Sequence, residues 1–450
     1  MGKRELAPCR VALSRPCFQT HGFLLRRKMT EPISARNTDN LVLSPFSRDR
    51  IRSANYYLLD YVAEALRIRP EMSDAFGISR DDVAMVRAQE KAYRVLMGTP
   101  FLVVAPSLTE IADWQALIHR STTTVAVDNL ARVTPQLTPN ERHLIYLNNR
   151  TYIWLLVEIL NTCALAAPVL GISTDLAAYL ATIPQHTLDL AISDLGFPIF
   201  RWRVAHPSFL LEYGAHRVGI ESVAHFFMQS SPIRLGNLQA KESRHDRGLR
   251  NLIDTYAAQL IGFRCRAASV VALLGITSHR ARAMYQEIHG VSSPCGQAPS
   301  SLGWHLRPAA VRVQSTVFLW LYKAALAGGS NVPEALISAY DFTQTLFGQS
   351  LKLEADRAYH LVRVSGGAAG IATAPCRACG THYLIANNGK KVEFSGAFAC
   401  PSCGGLLGTQ SVRRRGRAAR AAGSESAPPP SAQHAAARSP GLAAAGQHAA

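Results

Sequence analysis

Residues 57–88 read YLLDYVAEALRIRPEMSDAFGISRDDVAMVRA, with Leu58, Leu59, Val62, Ala65, Leu66 and Ile68 recurring near helical spacing. A helix so patterned can bury one stripe against a neighbour. It should break at Gly77 and restart after Ser79, which can cap the next helix, with Asp82 completing a capping box three residues on. The pattern returns at 152–182 as YIWLLVEILNTCALAAPVLGISTDLAAYLAT, so Gly77-Ile78-Ser79 and Gly171-Ile172-Ser173 stand 94 positions apart (77 to 171). Similar endings close both copies, GTPFLVV at 98–104 and GFPIFRW at 196–202. Self-similarity of this kind marks a repeated structural unit. The apolar run at 152–172 has the length of a membrane span, but Glu158, Asn161 and Pro168 interrupt it, and the first copy carries Asp60, Glu64, Arg67 and Arg69 there. Both copies therefore read as water-exposed helices, and no membrane partner is expected.

A third helix, glycine turn, helix pattern follows in NLIDTYAAQLIGFRCRAASVVALLGITSHRARAMYQEIHG, centred on Gly275-Ile276-Thr277. Thr277 or Ser278 can cap the second helix; Ala281, Met284, Tyr285 and Ile288 supply an inward face, leaving Ser278, His279, Arg280, Arg282 and Gln286 for the outside. A DNA-recognition helix needs this division, since its leading side chains must reach bases and phosphates while its other face is held, and arginine suits both guanine and phosphate. An ordinary basic surface helix is the plainer alternative, because helical hairpins use the same grammar simply to pack. In the first copy Asp81-Asp82 makes the corresponding helix acidic and ill suited to DNA. Residues 305–362 read as two or three more helices, interrupted at Gly328-Gly329-Ser330.

A formal charge of +17 and a pI near 9.8 favour an acidic partner, nucleic acid before anionic lipid. Part of that charge lies in arginine-rich stretches at 1–50 and 411–420, which also read as solvated tails. Nine cysteines, an odd number with four at metal spacing, point to a reducing cytoplasm rather than a disulfide scaffold. Cys376, Cys379, Cys400 and Cys403 form C-x2-C-x20-C-x2-C, with a hairpin expected around Asn388-Gly389. Four thiolates fill a tetrahedral shell and leave no position for substrate, which makes one structural zinc ion per chain the expected cofactor, ahead of an iron–sulfur cluster or a redox pair. Lys390 and Lys391 at the hairpin tip can meet phosphates, although turn lysines commonly do nothing specific. The P-C-x-x-C at Pro375 matches half of a zinc deaminase signature, but the H-x-E that such chemistry requires is missing from the sequence, as are HExxH, Walker A and G-x-S-x-G motifs. The chain is not expected to be an enzyme.

From about 245 to 410 the chain resembles FlhC, a flagellar transcriptional activator subunit, through LLGITSHRARAMYQEIHG, SSPCGQAPSSLGWHL, STVFLWLYKAAL, RAYHLVRV and the four-cysteine cluster. The two earlier copies resemble its partner FlhD through the helix-GIS-helix core and closing segment. The resemblance implies a mainly α fold: helical FlhD-like repeats, a helical FlhC-like DNA-binding domain and a C-terminal four-cysteine zinc ribbon. The expected divisions are a disordered basic extension at 1–48, FlhD-like units at 49–140 and 141–240, the FlhC-like domain at 241–370, the ribbon at 371–410 and a disordered tail at 411–450. Residues 1–28 also read as an upstream extension, or as a misassigned start, ahead of an ordinary bacterial start at Met29.

The resemblance further implies a bacterial cytoplasmic activator of class 2 flagellar operons that binds promoter DNA and recruits RNA polymerase, with zinc on the four cysteines. In the family, four FlhD and two FlhC assemble; one chain with two FlhD-like units and one FlhC-like unit would mimic that assembly as a homodimer. Neither closing segment has the cysteine that can cross-link FlhD, and Gln297-Ala298 interrupt a loop that is usually more basic. The competing expectation is a degenerate interaction module that assembles with intact FlhD and FlhC without binding DNA itself.

Overall fold

The computed structural model describes residues 41–407, apart from 121, 217, 239–251, 298, 300–301, 366–369, 388–391, 394–397, 402 and 406. The fold is mainly helical. In the first repeat α1 (Pro45–Ile68), α2 (Ser73–Phe76), α3 (Arg80–Ala88), α4 (Glu90–Met97) and strand β1 (Val104–Pro106) precede α5 (Ile111–His119) and α6 (Val125–Val133). The second repeat follows the same order in α7 (Pro139–Thr162), α8 (Ala166–Leu170), α9 (Thr174–Leu180), α10 (Gln185–Ile192), β2 (Phe200–Trp202), α11 (Pro207–Gly214) and α12 (Ile220–Ser230). Helices α1 and α7 are displaced by 94 residues at both ends (45 to 139, 68 to 162), and each starts on a proline behind a hydroxyl cap, Ser44 or Thr138. Glycine turns at the expected places end α2 and α8, with Gly77 and Gly171 both at left-handed φ. The Ser79 hydroxyl accepts from the Asp82 N–H, but the Asp82 carboxylate returns to that hydroxyl, so the expected box forms only in part.

Two buried asparagines set the register of the closing segments. Asn55 Nδ2 donates to the carbonyls of Met97 and Phe101, and its Oδ1 accepts from Val103 N–H at 3.0 Å. In the second repeat, Asn149 donates to Phe197 O and accepts from Ile199 N–H, both at 3.0 Å. Phe101 therefore corresponds to Phe197, a displacement of 96, whereas matching Gly98 to Gly196 would misalign the endings by two residues. In that register β1 and β2 pair antiparallel through Val104↔Trp202, Ala105↔Arg201 and Pro106↔Phe200, which places a local two-fold axis at the Ala105–Arg201 pair. Symmetric hydrogen bonds continue the ladder on either side, Ser107 N–H to Ile199 O and Arg203 N–H to Val103 O.

Beyond the strands each repeat's tail crosses to the other. The Tyr213 hydroxyl of α11 donates to Val86 O at 2.8 Å, and Arg120 after α5 pairs with Asp194 at 2.9 Å. These crossing segments hold α5–α6 and α11–α12.

The C-terminal half comprises α13 (Ile253–Gly262), α14 (Ala267–Leu274), α15 (Ser278–His289), α16 (Gly303–Leu306), α17 (Ala309–Ala327), α18 (Val332–Phe347) and α19 (Ala355–Ser365). An antiparallel sheet of β3 (Gly370–Pro375), β4 (His382–Asn387) and β5 (Val392–Glu393) completes it. Helices α17 and α18 are buried along most of their length and carry the core of this half. Phe101 from the first repeat enters that core, stacked on Phe227 of α12 with ring centroids 4.9 Å apart and packed against Trp320 and Phe342.

Three expectations fail at helix ends and boundaries. Residues 41–48 belong to the fold rather than to an extension: Leu41 and Leu43 are buried, Leu43 N–H donates to the Asp341 carboxylate at 2.9 Å, and Arg48 pairs with it at 3.0 Å. Ile68, expected in the buried stripe, is exposed because it follows fully buried Leu66 by two positions and so points about 200° around α1 from that stripe. Ile288 likewise is exposed near the end of α15. The run at 152–172 is divided between α7 and α8, and among the described residues no helix is long and apolar enough to cross a membrane. Residues 1–40 and the tail at 411–450 lie outside the described residues.

These contacts generate two predictions. Replacing Asn149 by Ala leaves buried backbone groups of Phe197 and Ile199 unpaired, which should cost about 2–4 kcal/mol; Asn55→Ala should cost a similar amount, read from urea midpoints. The second concerns His305, whose Nδ1 meets the Ser315 hydroxyl at 2.9 Å while its ring stacks on His360. Burial pushes the His305 imidazole down to about 4, and the His360 and Arg357 charges act in the same direction. Burial also lowers His360, aided by Arg363 and Arg357. Both imidazoles are neutral when folded, so below their ordinary value of about 6.5 the unfolded chain takes up protons that the folded chain refuses. Stability should fall as pH drops from about 6.5 toward 4, and His305→Gln should flatten that fall in a thermal-melt series.

Candidate metal centre and nucleic-acid interface

The two CxxC pairs fold into matching turns. In the first, Gly380 N–H donates to Cys376 O and Cys376 N–H to Thr381 O; in the second, Gly404 N–H donates to Cys400 O and Cys400 N–H to Gly405 O. Gly380 and Gly404 both sit at left-handed φ, +72° and +64°, which a side chain would strain. Gly405 has a separate reason to be glycine, since a Cβ there would fall 2.8 Å from Cys376 Sγ.

All four sulfurs lie within 4.8 Å of one another, with Cys376–Cys403 at 3.4 Å and Cys379–Cys400 at 3.8 Å. Zinc–thiolate bonds of about 2.3 Å in a tetrahedron place sulfurs roughly 3.8 Å apart, so the cluster fits a closed four-sulfur ion site. Cys376 and Cys400 are buried, and Cys379 and Cys403 are half-buried. The cluster is held from behind by α17: Thr316 Oγ1 accepts from Leu384 N–H at 3.3 Å, and the Arg312 guanidinium lies over the Phe398 ring at 4.7 Å.

Helices α13, α14 and α15 pack on one another as a three-helix unit. Helix α14 ends at Gly275 with φ +69°, and Thr277 caps α15 by accepting from Arg280 N–H. Ala281 and Tyr285 are buried and Met284 is half-buried, whereas Ser278, His279, Arg280, Arg282 and Gln286 are exposed. Two of these have local partners: Arg280 pairs with Asp254 on α13, and Gln286 Nε2 donates to Gly290 O at 3.0 Å. Lys390 and Lys391 lie outside the described residues, as does the tip of the expected hairpin.

The group that seats this unit on the domain went unread in the sequence. Asp356, buried at the start of α19, accepts from Arg266 N–H at 3.0 Å, the Ser269 hydroxyl at 2.7 Å and the Cys265 thiol at 3.4 Å, while Arg266 Nε closes an ion pair at 3.0 Å. All its partners flank the α13–α14 junction some ninety residues away, and nothing local in RAYHLVRV announces them.

The C-terminal domain thus joins an exposed basic helix to a four-sulfur ribbon. Residues 252–407, from just before α13 to the last described residue, match the family model described as flagellar transcriptional activator (FlhC). The flagellar transcriptional regulator FlhC of Cupriavidus metallidurans is 28% identical over 153 residues, covering 33% of this chain and 68% of that relative. The C-terminal segment of this chain thus matches the FlhC family of flagellar transcriptional activators. All four cysteines and α15 fall inside the matched segment; both repeats, α12 included, precede it.

Removing the Asp356 charge should loosen the three-helix unit from α19. Asp356→Ala leaves Arg266 without its buried partner, and breaking such a pair costs about 3–5 kcal/mol. Hydrogen exchange should quicken in α13–α15 while α7–α10 stay protected.

Proposed function

We propose that this chain is a DNA-binding activator of flagellar operons in which two FlhD-like repeats serve, in cis, the FlhC-type domain that follows them. The observation that carries this reading is the pairing of the repeats about a local two-fold axis, in contact with one FlhC-type domain. A pair of like units beside a single FlhC-type domain is half of a four-to-two assembly. Two chains related by a two-fold axis would complete it, and such a homodimer would match an inverted-repeat operator. Covalent joining gives the parts a high effective concentration and offsets much of the entropy lost when separate subunits meet. On this reading the protein works in the bacterial cytoplasm, binds class 2 flagellar promoters and recruits RNA polymerase there.

Exposed Ser278, His279, Arg280, Arg282 and Gln286 on α15 form the proposed DNA face, with Lys390 and Lys391 as further phosphate contacts. Arg282 is available directly, whereas Arg280 must exchange Asp254 for a phosphate or a base. One zinc ion on Cys376, Cys379, Cys400 and Cys403 would hold the ribbon, with a structural role. The decisive experiment is binding to a flagellar promoter fragment, with competitor DNA, over a range of salt. Affinity that falls steeply with salt yet survives competitor supports the reading; no binding up to micromolar protein leaves an interaction module in its place.

Two variants test the assignments. Arg280→Ala with Arg282→Ala should weaken promoter binding about ten-fold or more, with zinc content and mass unchanged. Cys400→Ser should lose the metal and unfold the ribbon, since structural zinc contributes on the order of 10 kcal/mol to local folding. Metal analysis of the reduced wild type should return one zinc per chain; well under one would defeat the assignment.

A further inference from the structure

Helix α12 presents one face to the four-cysteine cluster. Ser222, His225 and Gln229 stand at i, i+3 and i+7, so they line a single side of the helix. The Ser222 hydroxyl donates to Pro401 O, inside the second CxxC turn, at 3.3 Å. Gln229 Nε2 donates to Cys379 O, in the first CxxC turn, at 3.5 Å. Between them His225, fully buried, bonds through Nδ1 to the Tyr383 hydroxyl and stacks on its ring with an interplanar angle of 6°. The Tyr383 hydroxyl lies 3.5 Å from Cys400 Sγ, and His225 Nδ1 lies 4.0 Å from the same sulfur. One helix face therefore touches both turns and approaches one of the ligand sulfurs.

The direction of the bonds follows from the chemistry of a metal-bound thiolate. Such a sulfur can only accept, so with the ion bound the Tyr383 hydroxyl can donate to Cys400 Sγ while its oxygen accepts from a proton on His225 Nδ1. Hydrogen bonds of this kind spread the negative charge of a four-thiolate site and fix its ligands. They also require the ligand turns to hold their metal-bound shape.

We infer that the metal centre locks the two halves of the chain together: α12, which precedes the FlhC-family segment, supplies the outer hydrogen bonds of the ion site, and the bound ion in turn holds α12 in place. The remaining contacts of α12 give this lock its reach, because Phe227 stacks on Phe101 of the first repeat and the helix packs on α17 and α18. Coupling between the ion and α12 is reciprocal by linkage, so weakening either weakens the other. The repeats thereby sense whether the ribbon is loaded. This inference rests on the zinc reading of the cluster, and its test separates the two.

The test uses the full, reduced, zinc-loaded chain. Zinc release to an excess of chelator is timed in wild type and in Tyr383→Phe, which keeps the ring stack and removes only the hydroxyl. Amide exchange across 220–230 is then compared in loaded and stripped wild type. The lock predicts release about ten-fold or more faster in Tyr383→Phe, and clear loss of α12 protection on stripping. Ser222→Ala with Gln229→Ala, which spares His225 and Tyr383, should also speed release. Equal release rates in wild type and Tyr383→Phe, or α12 protection that is the same with and without metal, overturns the lock while leaving the zinc assignment standing. A wild type that holds no zinc overturns the zinc assignment itself.

Discussion

The Arg203 guanidinium sits where four segments meet. It donates to the carbonyls of Leu102 in the first repeat, Pro168 and Val169 at α8, and Phe227 on α12, and it lies over the rings of Phe101 and Phe227 at 5.5 and 4.9 Å. Burial pulls this guanidinium down to about 9, still charged at neutral pH. A buried cation is costly unless its donors are met, and here carbonyls in the last turns of α8 and α12 and just ahead of β1 meet them. Gly171 makes room: a Cβ there would lie 2.7 Å from Arg203 Nε, and its φ of +73° already disfavours a side chain. Gly77 stands in a comparable position against Arg201. The glycine turns that mark the repeats thus do two things, ending a short helix and admitting an arginine from the strand pair.

From that junction the symmetry of the repeats breaks at their last helices. Helices α6 and α12 are counterparts, displaced by 95 residues at their starts (125 to 220), yet α6 buries none of its residues while α12 buries eight in a row from Ser222 to Gln229. The difference is the C-terminal domain, which covers α12 with α17, α18 and the ribbon. A two-fold pair offers two equivalent tails, and a single chain brings one FlhC-type domain to fill one of them. Asp341 adds a second attachment by holding Leu43 and Arg48 ahead of α1, so the first repeat is tied to the same domain from its own start.

What could be read from the sequence was local. The CxxC spacing, the GIS turns, the hydroxyl caps and the division of α15 into buried and exposed faces depend on residues a few positions apart, and they are found where expected apart from exposed Ile288 and the incomplete box at Ser79. The closing segments align two residues away from the match that their Gly and Pro suggest, because the register is set by Asn55 and Asn149. A buried-side asparagine recurring at the same place in both copies was the available signal. Arg203, Asp341, Asp356 and His225 gave none, because their partners lie from tens to hundreds of residues away and their own surroundings read as ordinary surface or core. Exposed Ile288 near the end of α15 shows the converse limit, since periodicity cannot tell where a neighbour stops.

The central claim is that one chain carries everything a symmetric regulator needs and that pairing of two chains completes it. Light scattering on the purified, reduced, full-length protein measures this directly. The account predicts a single species of twice the 48.9 kDa chain mass that binds promoter DNA without any added subunit. A stable monomer that binds DNA only after a separate FlhD-type protein is supplied would contradict it.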